Sequence, residues 1–161
     1  MIFKKLKAMF RYNKEVEVID FDFYKSIDIL GNLSHNEIKR LDDYMIHKSY
    51  KKDEIIFREN HPTVVLYIIK SGRVKVFMNT SDGETIINIL ESKKHFGEMG
   101  IFIDANRLAS AVAIEDTELI AIQKTDLKQF IKSNPGTGIK LLFNLGKTIS
   151  SELYQAYSLM K

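Results

Sequence analysis

Between residues 49 and 123 the chain consists of short apolar runs separated by turn residues. The runs KKDEIIFREN, TVVLYIIKSG, RVKVFMNTSDG and ETIINILES are rich in Val, Ile, Phe and Tyr, and ASAVAIEDTELIAIQ adds two strands around Glu115-Asp116. Regularly spaced short strands of this kind are typical of a β-sandwich or a jelly roll. The turn signals are Asn60-His61-Pro62, Ser71-Gly72 and Asp82-Gly83, and the last two predict hairpin turns.

A helical pattern precedes the β region. Ser34 and Glu37 stand at the spacing of a capping box, which predicts that a helix begins there. We expect this helix to end near His47. Its apolar face is formed by Ile38, Leu41, Tyr44 and Met45.

Helical patterns return after the β region. A short helix containing Asp126 and Ile131 is expected to stop before Asn134-Pro135, because the residue before a proline disfavours helical backbone. A longer helix is expected from about Gly138, with apolar or small residues at alternating steps of three and four, as in a heptad seam. It could be a dimer helix or a helix packed against its own barrel. The seam comprises Ile139, Leu142, Gly146, Ile149, Leu153, Ala156 and Met160.

A chain of 161 residues suits one compact domain. We therefore predict an α+β protein, a jelly-roll barrel (double-stranded β-helix) flanked by N-terminal and C-terminal helices. Residues 1–20 are expected to form a basic amphipathic arm ahead of a single domain at residues 21–161. The predicted divisions of the domain are a helical part at 21–48, the barrel at 49–124 and the C-terminal helices at 125–161.

The predicted arm interleaves Lys4, Lys5 and Lys7 with apolar residues. A basic amphipathic helix suits a membrane surface or a docking partner, but a helix packed on its own domain also explains the pattern and is favoured. No apolar run approaches the roughly 18 residues of a membrane span, so no transmembrane segment is predicted. The unbroken apolar stretch of a signal peptide is also missing. We expect the chain to be cytoplasmic.

Composition and motif content argue against several classes of function. Without cysteine there is no disulfide framework and no thiolate chemistry. The formal net charge of +3 is too small to indicate nucleic-acid binding by itself. A metal-dependent barrel enzyme needs clustered histidines, and neither a Ser-His-Asp signature nor a P-loop is present. We therefore predict no enzymatic activity, catalytic residue, metal or cofactor. The unclustered histidines are His35, His47, His61 and His95.

Residues 95–113, HFGEMGIFIDANRLASAVA, embed two charges in an apolar run. Such charges are costly unless a partner compensates them. The guanidinium of Arg107 suits a phosphate, and the free N–H groups of a helical turn opening at Glu98 attract an anion. The Glu98 carboxylate suits hydroxyl donors such as those of a ribose, and Ser110 adds a hydroxyl donor. The competing interpretation is a plain ion pair between Glu98 and Arg107.

The same segment closely resembles the phosphate-binding cassette of cyclic nucleotide-binding domains. The family pattern is roughly F-G-E-[LM]-[AG]-[LI]-[LF], a variable stretch, then R-x-A-[ST]-x-x-A, and it reads here FGEMGIF, IDAN and RLASAVA without a gap. Outside the cassette, LYIIKSGRVKV, DGETIINIL and AIEDTELIAIQKTDLKQFIKSNP are similar to the family's flanking strands and following helix. The resemblance covers about residues 30–155.

The resemblance implies roles for individual residues. Glu98, with Gly97 beside it, would take the ribose 2′-hydroxyl, and Arg107 would neutralise the cyclic phosphate. The Ser110 hydroxyl would complete the phosphate cradle together with backbone groups of Met99, Gly100 and Ala109. The base and sugar pocket would be lined by Val76, Ile87, Leu90 and Leu108. Candidates for a lid over the base are Tyr154 and Tyr157.

The resemblance also implies a ligand and a signal. In cGMP-selective relatives a threonine often follows the arginine, whereas Leu108 offers no hydrogen bond, so cAMP is expected rather than cGMP. We expect the ligand to shift the population of C-terminal helix positions, read by an unidentified protein partner or by a second copy in a homodimer. No recognition helix follows the long helix, so no DNA contact is expected. Membrane-surface contact by the arm is a weaker alternative.

Two positions depart from the family pattern. A glycine usually precedes the cassette, where this chain has Ser92-Lys93-Lys94-His95, and the usual Glu-Gly before the second strand is Glu59-Asn60. These departures bear on loop geometry more than on chemistry. The competing hypothesis is a protein-interaction module that has kept the fold and lost the ligand.

Overall fold

The computed structural model describes residues 18–160, so most of the arm predicted at residues 1–20 lies outside the described residues. The described helices are α1 (Phe21–Lys25), α2 (His35–Asp42), α3 (Met99–Phe102), α4 (Lys124–Ser133) and α5 (Pro135–Ser158). The described strands are β1 (Ile46–Tyr50), β2 (Ile55–Phe57), β3 (Val65–Ser71), β4 (Arg73–Thr80), β5 (Gly83–Glu91), β6 (His95–Phe96), β7 (Ser110–Ala113) and β8 (Thr117–Gln123).

The strands form two four-stranded antiparallel sheets. Hydrogen bonding orders them β1-β8-β3-β6 in the first sheet and β2-β7-β4-β5 in the second. Side chains of β3 alternate between two sides, as a strand requires. Leu66 and Ile68 pack with the buried side chains of the helices, whereas Tyr67 and Ile69 pack with those of the second sheet. This architecture is the jelly-roll barrel with flanking helices that the sequence predicts.

The predicted hairpin turns have different outcomes. Asp82-Gly83 is confirmed, because β4 and β5 pair through to Thr80 and Gly83. Ser71-Gly72 is wrong as a hairpin, because β3 and β4 belong to different sheets. Gly72 has φ +84°, and a Cβ there would collide with Thr117. The turn therefore carries the chain from one sheet to the other, and Glu115-Asp116 does the same between β7 and β8.

The helical part before the barrel is shorter than predicted. The capping box is present: the Glu37 N–H donates to Ser34 Oγ, and the Ser34 N–H donates to the Glu37 carboxylate. Helix α2 ends at Asp42 rather than near His47, and β1 begins at Ile46, inside the part predicted as helical at 21–48. The apolar spacing predicted too long a helix because Met45, which is buried after the end of α2, continues the helical pattern of apolar residues.

Helix α5 packs on the domain through a face other than the predicted seam. It begins at Pro135 rather than near Gly138, and its most buried positions are Thr137, Gly138, Leu141 and Leu145. The seam residue Ile139 is 68% exposed, and all residues from Ser150 to Ser158 are exposed. The N-terminal half of α5 therefore lies against its own domain, while the predicted dimer seam is untested. No helix among residues 18–160 has the length and apolar character to cross a bilayer.

Candidate functional site

The cassette runs from the end of β6 through α3 to the start of β7. Gly97 adopts φ +83°, Glu98 is the N-cap residue of α3, and the Ile101 N–H donates to the Glu98 carbonyl. The predicted helical turn after Glu98 is therefore confirmed. Its first N–H groups have no partner within the helix, which gives this end a partial positive charge.

Arg107 is buried at the centre of the cassette, with 7% of its surface exposed. Its backbone is fixed on both sides, since its N–H donates to His61 O and its carbonyl accepts from the Asn60 N–H, each at 2.8 Å. Its Nη2 donates to Val65 O at 3.0 Å. Its Cζ atom lies 3.9 Å from the centre of the Phe57 ring.

An aromatic floor, composed of Phe57, Tyr67 and Phe96, lies beside this arginine. The ring centres of Tyr67 and Phe96 are 5.2 Å apart, and that of Phe57 is about equally distant from both, at 6.0 Å and 5.9 Å. Burial is the main reason that the pKa of Tyr67 is raised, and burial together with Tyr67 raises the pKa of Tyr50 to about 12. Both phenols are therefore neutral at pH 7 and place no negative charge near Arg107.

Glu98 and Arg107 do not form the ion pair of the competing interpretation. No salt bridge joins them in the described part of the chain, and Arg107 contributes the smallest of the influences on the Glu98 pKa. Burial raises the pKa of the Glu98 carboxyl, and the charge of Glu152 on α5 raises it further. Burial likewise lowers the pKa of the Arg107 guanidinium. Two charges of opposite sign are thus held in one apolar site without neutralising each other.

Both glycines of the cassette are required by packing inside the protein. A Cβ at Gly97 would lie 2.7 Å from Arg107 Nη1 and from Val65 O. A Cβ at Gly100 would collide with the side chain and carbonyl of Thr63. The family resemblance implies only that these two glycines lie beside the ligand. The structure gives a prior reason, because Gly97 makes room for the guanidinium and Gly100 lets α3 contact the loop before β3.

Ser110 lies inside the barrel rather than on its surface. It is buried, and its Oγ accepts a hydrogen bond of 3.0 Å from the Glu59 N–H. The hydroxyl therefore ties the loop after β2 to β7, and its predicted contact with a phosphate stays a prediction. Of the other predicted cradle residues, Gly100 is buried, Ala109 is half-buried and Met99 is exposed.

Of the four residues predicted for the base and sugar pocket, two pack against the core and two are exposed. Val76 on β4 and Leu90 on β5 are half-buried and pack against the core between the sheets. Leu108 is 73% exposed, and Ile87 is also exposed, at a register shift between β4 and β5. The predicted lid residues are exposed on the C-terminal half of α5, and their role stays a prediction. They are Tyr154 and Tyr157.

Sequence reasoning missed two residues near the cassette. Phe57, which lies on β2 fifty positions before Arg107, contacts its guanidinium. Glu152 on α5 lies close enough to Glu98 for its charge to raise the pKa of that carboxyl. No local pattern marks either residue, because both proximities are created by the tertiary fold. Among the described residues, no group of three or more His, Cys, Asp or Glu side chains is placed to hold a metal ion.

The two departures from the family pattern leave the backbone conformation of glycine in place. Lys93 adopts φ +73° and Asn60 adopts φ +65°, which is the left-handed region that glycine favours. The Lys93 N–H donates to Ile69 O, and the Ile69 N–H donates to Lys94 O, each at 2.8 Å. The loop before the cassette is therefore held against β3 without a glycine.

Comparison with known proteins identifies the family. The family model described as cyclic nucleotide-binding domain matches residues 47–134, more than half of the chain. The chain is 31% identical over 112 residues to the cyclic AMP receptor protein of Thermus thermophilus, covering 69% of this chain and 52% of that protein. It is 27% identical over 113 residues to human cGMP-dependent protein kinase 2, covering 68% and 15%.

The structural comparison agrees with the sequence comparison. A cyclic nucleotide-binding domain from Methylobacillus flagellatus superposes with a TM-score of 0.76 at 25% identity, covering 85% of this chain and 78% of that one. The chain spans about half of the Thermus relative and less of the kinase. The matched part includes Arg107 and the whole cassette. The chain therefore belongs to the cyclic nucleotide-binding domain family.

Proposed function

We propose that this domain binds cAMP at the cassette and regulates a partner through the position of α5. The observation that carries the proposal is that Arg107 is buried with a hydrogen-bond donor that lacks an acceptor among residues 18–160. A guanidinium has five N–H donors, and here Val65 O accepts from one of them. Among residues 18–160, the buried Nε has no acceptor. A cyclic phosphate carries the single negative charge and the acceptor oxygens that such a group lacks.

The second charge of the site suits the sugar. An ionised carboxylate only accepts hydrogen bonds, so Glu98 would repel a phosphate and attract a hydroxyl. Burial and Glu152 raise the pKa of Glu98, which makes its charge costly in the absence of a donor. A ribose 2′-hydroxyl donating to Glu98 would compensate this cost. Together the two residues select a ligand with an anionic group and a hydroxyl group on one small ring system.

The choice of base rests on Leu108. The two relatives carry different nucleotides in their names, cyclic AMP in the bacterial protein and cGMP in the human kinase. Leu108 offers a guanine no hydrogen bond, so a polar group of the base that needs a partner gains nothing from it. This favours cAMP, with Val76 and Leu90 as apolar contacts of the sugar and base.

The signal is proposed to pass through α5. The N-terminal half of this helix is tied to the helical part before the barrel, while its C-terminal half is exposed. Glu152 brings that C-terminal half within the electrostatic reach of Glu98. Ligand binding at Glu98 would therefore shift the population of α5 positions. The exposed side chains of Ile139, Phe143 and Leu153 offer an apolar face to a protein partner or to a second copy of this chain.

The test is calorimetric titration of the nucleotide-free protein with cAMP and, separately, cGMP. We expect cAMP to bind at least about tenfold more tightly than cGMP, a difference of about 1.4 kcal/mol. Arg107→Ala should weaken cAMP binding at least about tenfold, because it removes a charge-assisted hydrogen bond. Arg40→Ala on the exposed surface of α2 is the matched control and should leave the affinity unchanged.

A second measurement separates binding from signalling. Hydrogen exchange of α5, with and without cAMP, should change in the exposed residues 150–158. Binding without any such change would remove α5 as the signalling element and leave the binding site standing. Absence of binding to either nucleotide, in a protein with native circular dichroism, would favour the competing hypothesis of an interaction module.

A further inference from the structure

We propose that Phe57 is a positioning residue that holds the Arg107 guanidinium ready for an anionic ligand. The inference rests on the proposed function in one respect, the use of Arg107 as the ligand's counter-charge. It adds that a residue of β2, a strand outside the cassette, determines the position of the Arg107 guanidinium.

The Arg107 guanidinium lies over the face of the Phe57 ring. The Arg107 Cζ lies 3.9 Å from the centre of the Phe57 ring, well inside the distance at which a cation is attracted by an aromatic face. The guanidinium is therefore in direct contact with the ring face. Val65 O takes one Nη2 hydrogen at the edge, and the absence of a Cβ at Gly97 leaves room beside Nη1.

A ring is the suitable partner for a cation that must stay available. A buried guanidinium needs stabilisation, and a carboxylate would supply it by occupying the N–H donors. The aromatic face attracts the cation through its quadrupole and occupies none of the donors in the guanidinium plane. Phe57 therefore stabilises Arg107 in the site without competing with a phosphate. This agrees with the missing salt bridge between Arg107 and Glu98 in the described chain.

The position of Phe57 is itself fixed. The pairing of β2 with β7 shifts register between Ile55 and Phe57, where Ile55 lies opposite Val112 and Phe57 opposite Ala111. Such a bulge turns a side chain relative to its strand. The Phe57 ring also packs with Tyr67 and Phe96 of the aromatic floor. The ring is thus held by a strand irregularity and two aromatic neighbours, and it restricts the many rotamers of a long arginine.

The test compares three variants of the full chain by calorimetric titration with cAMP. Phe57→Leu keeps an apolar side chain and removes the ring, and we expect it to raise the Kd about tenfold, the size of a desolvated cation–π contact. Phe57→Tyr restores the aromatic face and should return the Kd to within about threefold of the wild type. Phe130→Leu is the matched control, because it removes a buried ring of the same kind that packs with Tyr44 outside the cassette.

A second readout needs no nucleotide. The Arg107 Nε–Hε resonance in a ¹⁵N-labelled protein reports the ring current of Phe57, so Phe57→Leu should move it far more than Phe130→Leu does. If the wild type fails to bind cAMP, the proposed function is wrong, and this resonance still decides the positioning of Arg107. The inference is overturned if Phe57→Leu leaves the resonance in place, or if Phe130→Leu weakens cAMP binding as much as Phe57→Leu.

Discussion

At the scale of single residues, Lys93 shows how the chain keeps a family conformation with an unfavourable side chain. Its φ of +73° lies in the left-handed region, where a side chain with a Cβ costs about 1–2 kcal/mol. Asn60 meets the same requirement at lower cost, since asparagine tolerates this region better than most residues. The hydrogen bond that the Lys93 N–H donates to Ile69 O, together with the one that the Ile69 N–H donates to Lys94 O, compensates the strain. The departure that favoured a ligand-free module therefore does not distort the site.

The strain at Lys93 predicts a difference between two neighbouring substitutions. Lys93→Gly and Lys94→Gly both add the same backbone freedom to the unfolded chain, and both lysines are exposed. Lys93→Gly alone relieves a left-handed conformation. We expect its free energy of unfolding to exceed that of Lys94→Gly by about 1–2 kcal/mol. Urea unfolding of the two variants measures this difference, and equal values would show that Lys93 carries no strain.

At the same scale, the sequence predicted the charged residues of the candidate site but not the residues that contact them in the fold. The motif placed Glu98 and Arg107 in one segment, because local spacing is what a motif records. It could not indicate that Phe57 lies against Arg107, since that contact depends on the pairing of β2 with β7. Nor could it indicate that the Ser110 hydroxyl is used by the Glu59 N–H inside the barrel. Residue types were predictable, and their tertiary partners were not.

At the scale of elements, strands were easier to predict than their pairing. Short apolar runs bounded by turn residues marked β3 and β4, and Ser71-Gly72 marked the reversal between them. A turn signal indicates where the chain changes direction, but it does not indicate in which sheet the next strand pairs. The pairing depends on which apolar faces can be buried together, and Gly72 sits where the chain crosses between the two sheets. The two-residue strand β6 is too short to carry any pattern.

The same substitution, glycine to alanine, at two positions of α5 tests how this helix packs. A Cβ at Gly146 meets nothing within 4 Å, so Gly146→Ala should raise the free energy of unfolding by about 1 kcal/mol through helix propensity. A Cβ at Gly138 would lie 2.8 Å from Ile131 Cγ2 and 3.1 Å from its Cα, so Gly138→Ala should be destabilising. Thermal and urea unfolding of both variants decide this. A destabilising Gly146→Ala would mean that another surface packs against that face.

At the scale of the whole molecule, a polar latch ties α5 to the helices that precede the barrel. The Glu37 carboxylate accepts from the Thr137 hydroxyl at 3.0 Å and from Lys140 Nζ at 2.9 Å. Asn144 Nδ2 donates to Ile29 O at 3.0 Å, one turn further along the helix. The capping box was predictable from Ser34 and Glu37, but the second use of Glu37 was not, because Thr137 is a hundred positions away. The latch holds the N-terminal half of α5, whereas residues 150–158, in the half near Glu98, are exposed in the part of the chain that the structure describes.

Glu37, which belongs to both the capping box and the latch, predicts a pH dependence of stability. Its hydrogen bonds, chiefly that from the Ser34 backbone, lower the pKa of Glu37 from 4.5 to about 2. A carboxyl whose pKa is lowered on folding stabilises the protein above its ordinary pKa, and this contribution disappears as pH falls through the folded value. The contribution of Glu37 should therefore be complete above pH 4.5 and decline from there toward pH 2.

Glu37→Gln tests this expectation. At pH 7 it should lower the free energy of unfolding by about 1–2 kcal/mol, less than a fully buried charged hydrogen bond because Lys140 is partly in solvent. The gap between variant and wild type should close as pH falls from 4.5 toward 2, where the wild-type carboxyl also becomes neutral. Glu118→Gln is the control, since Glu118 is 53% exposed and 3.6 Å from Lys70. A gap for Glu37→Gln that stays constant down to pH 2 would mean that the charge of Glu37 stabilises neither the capping box nor the latch.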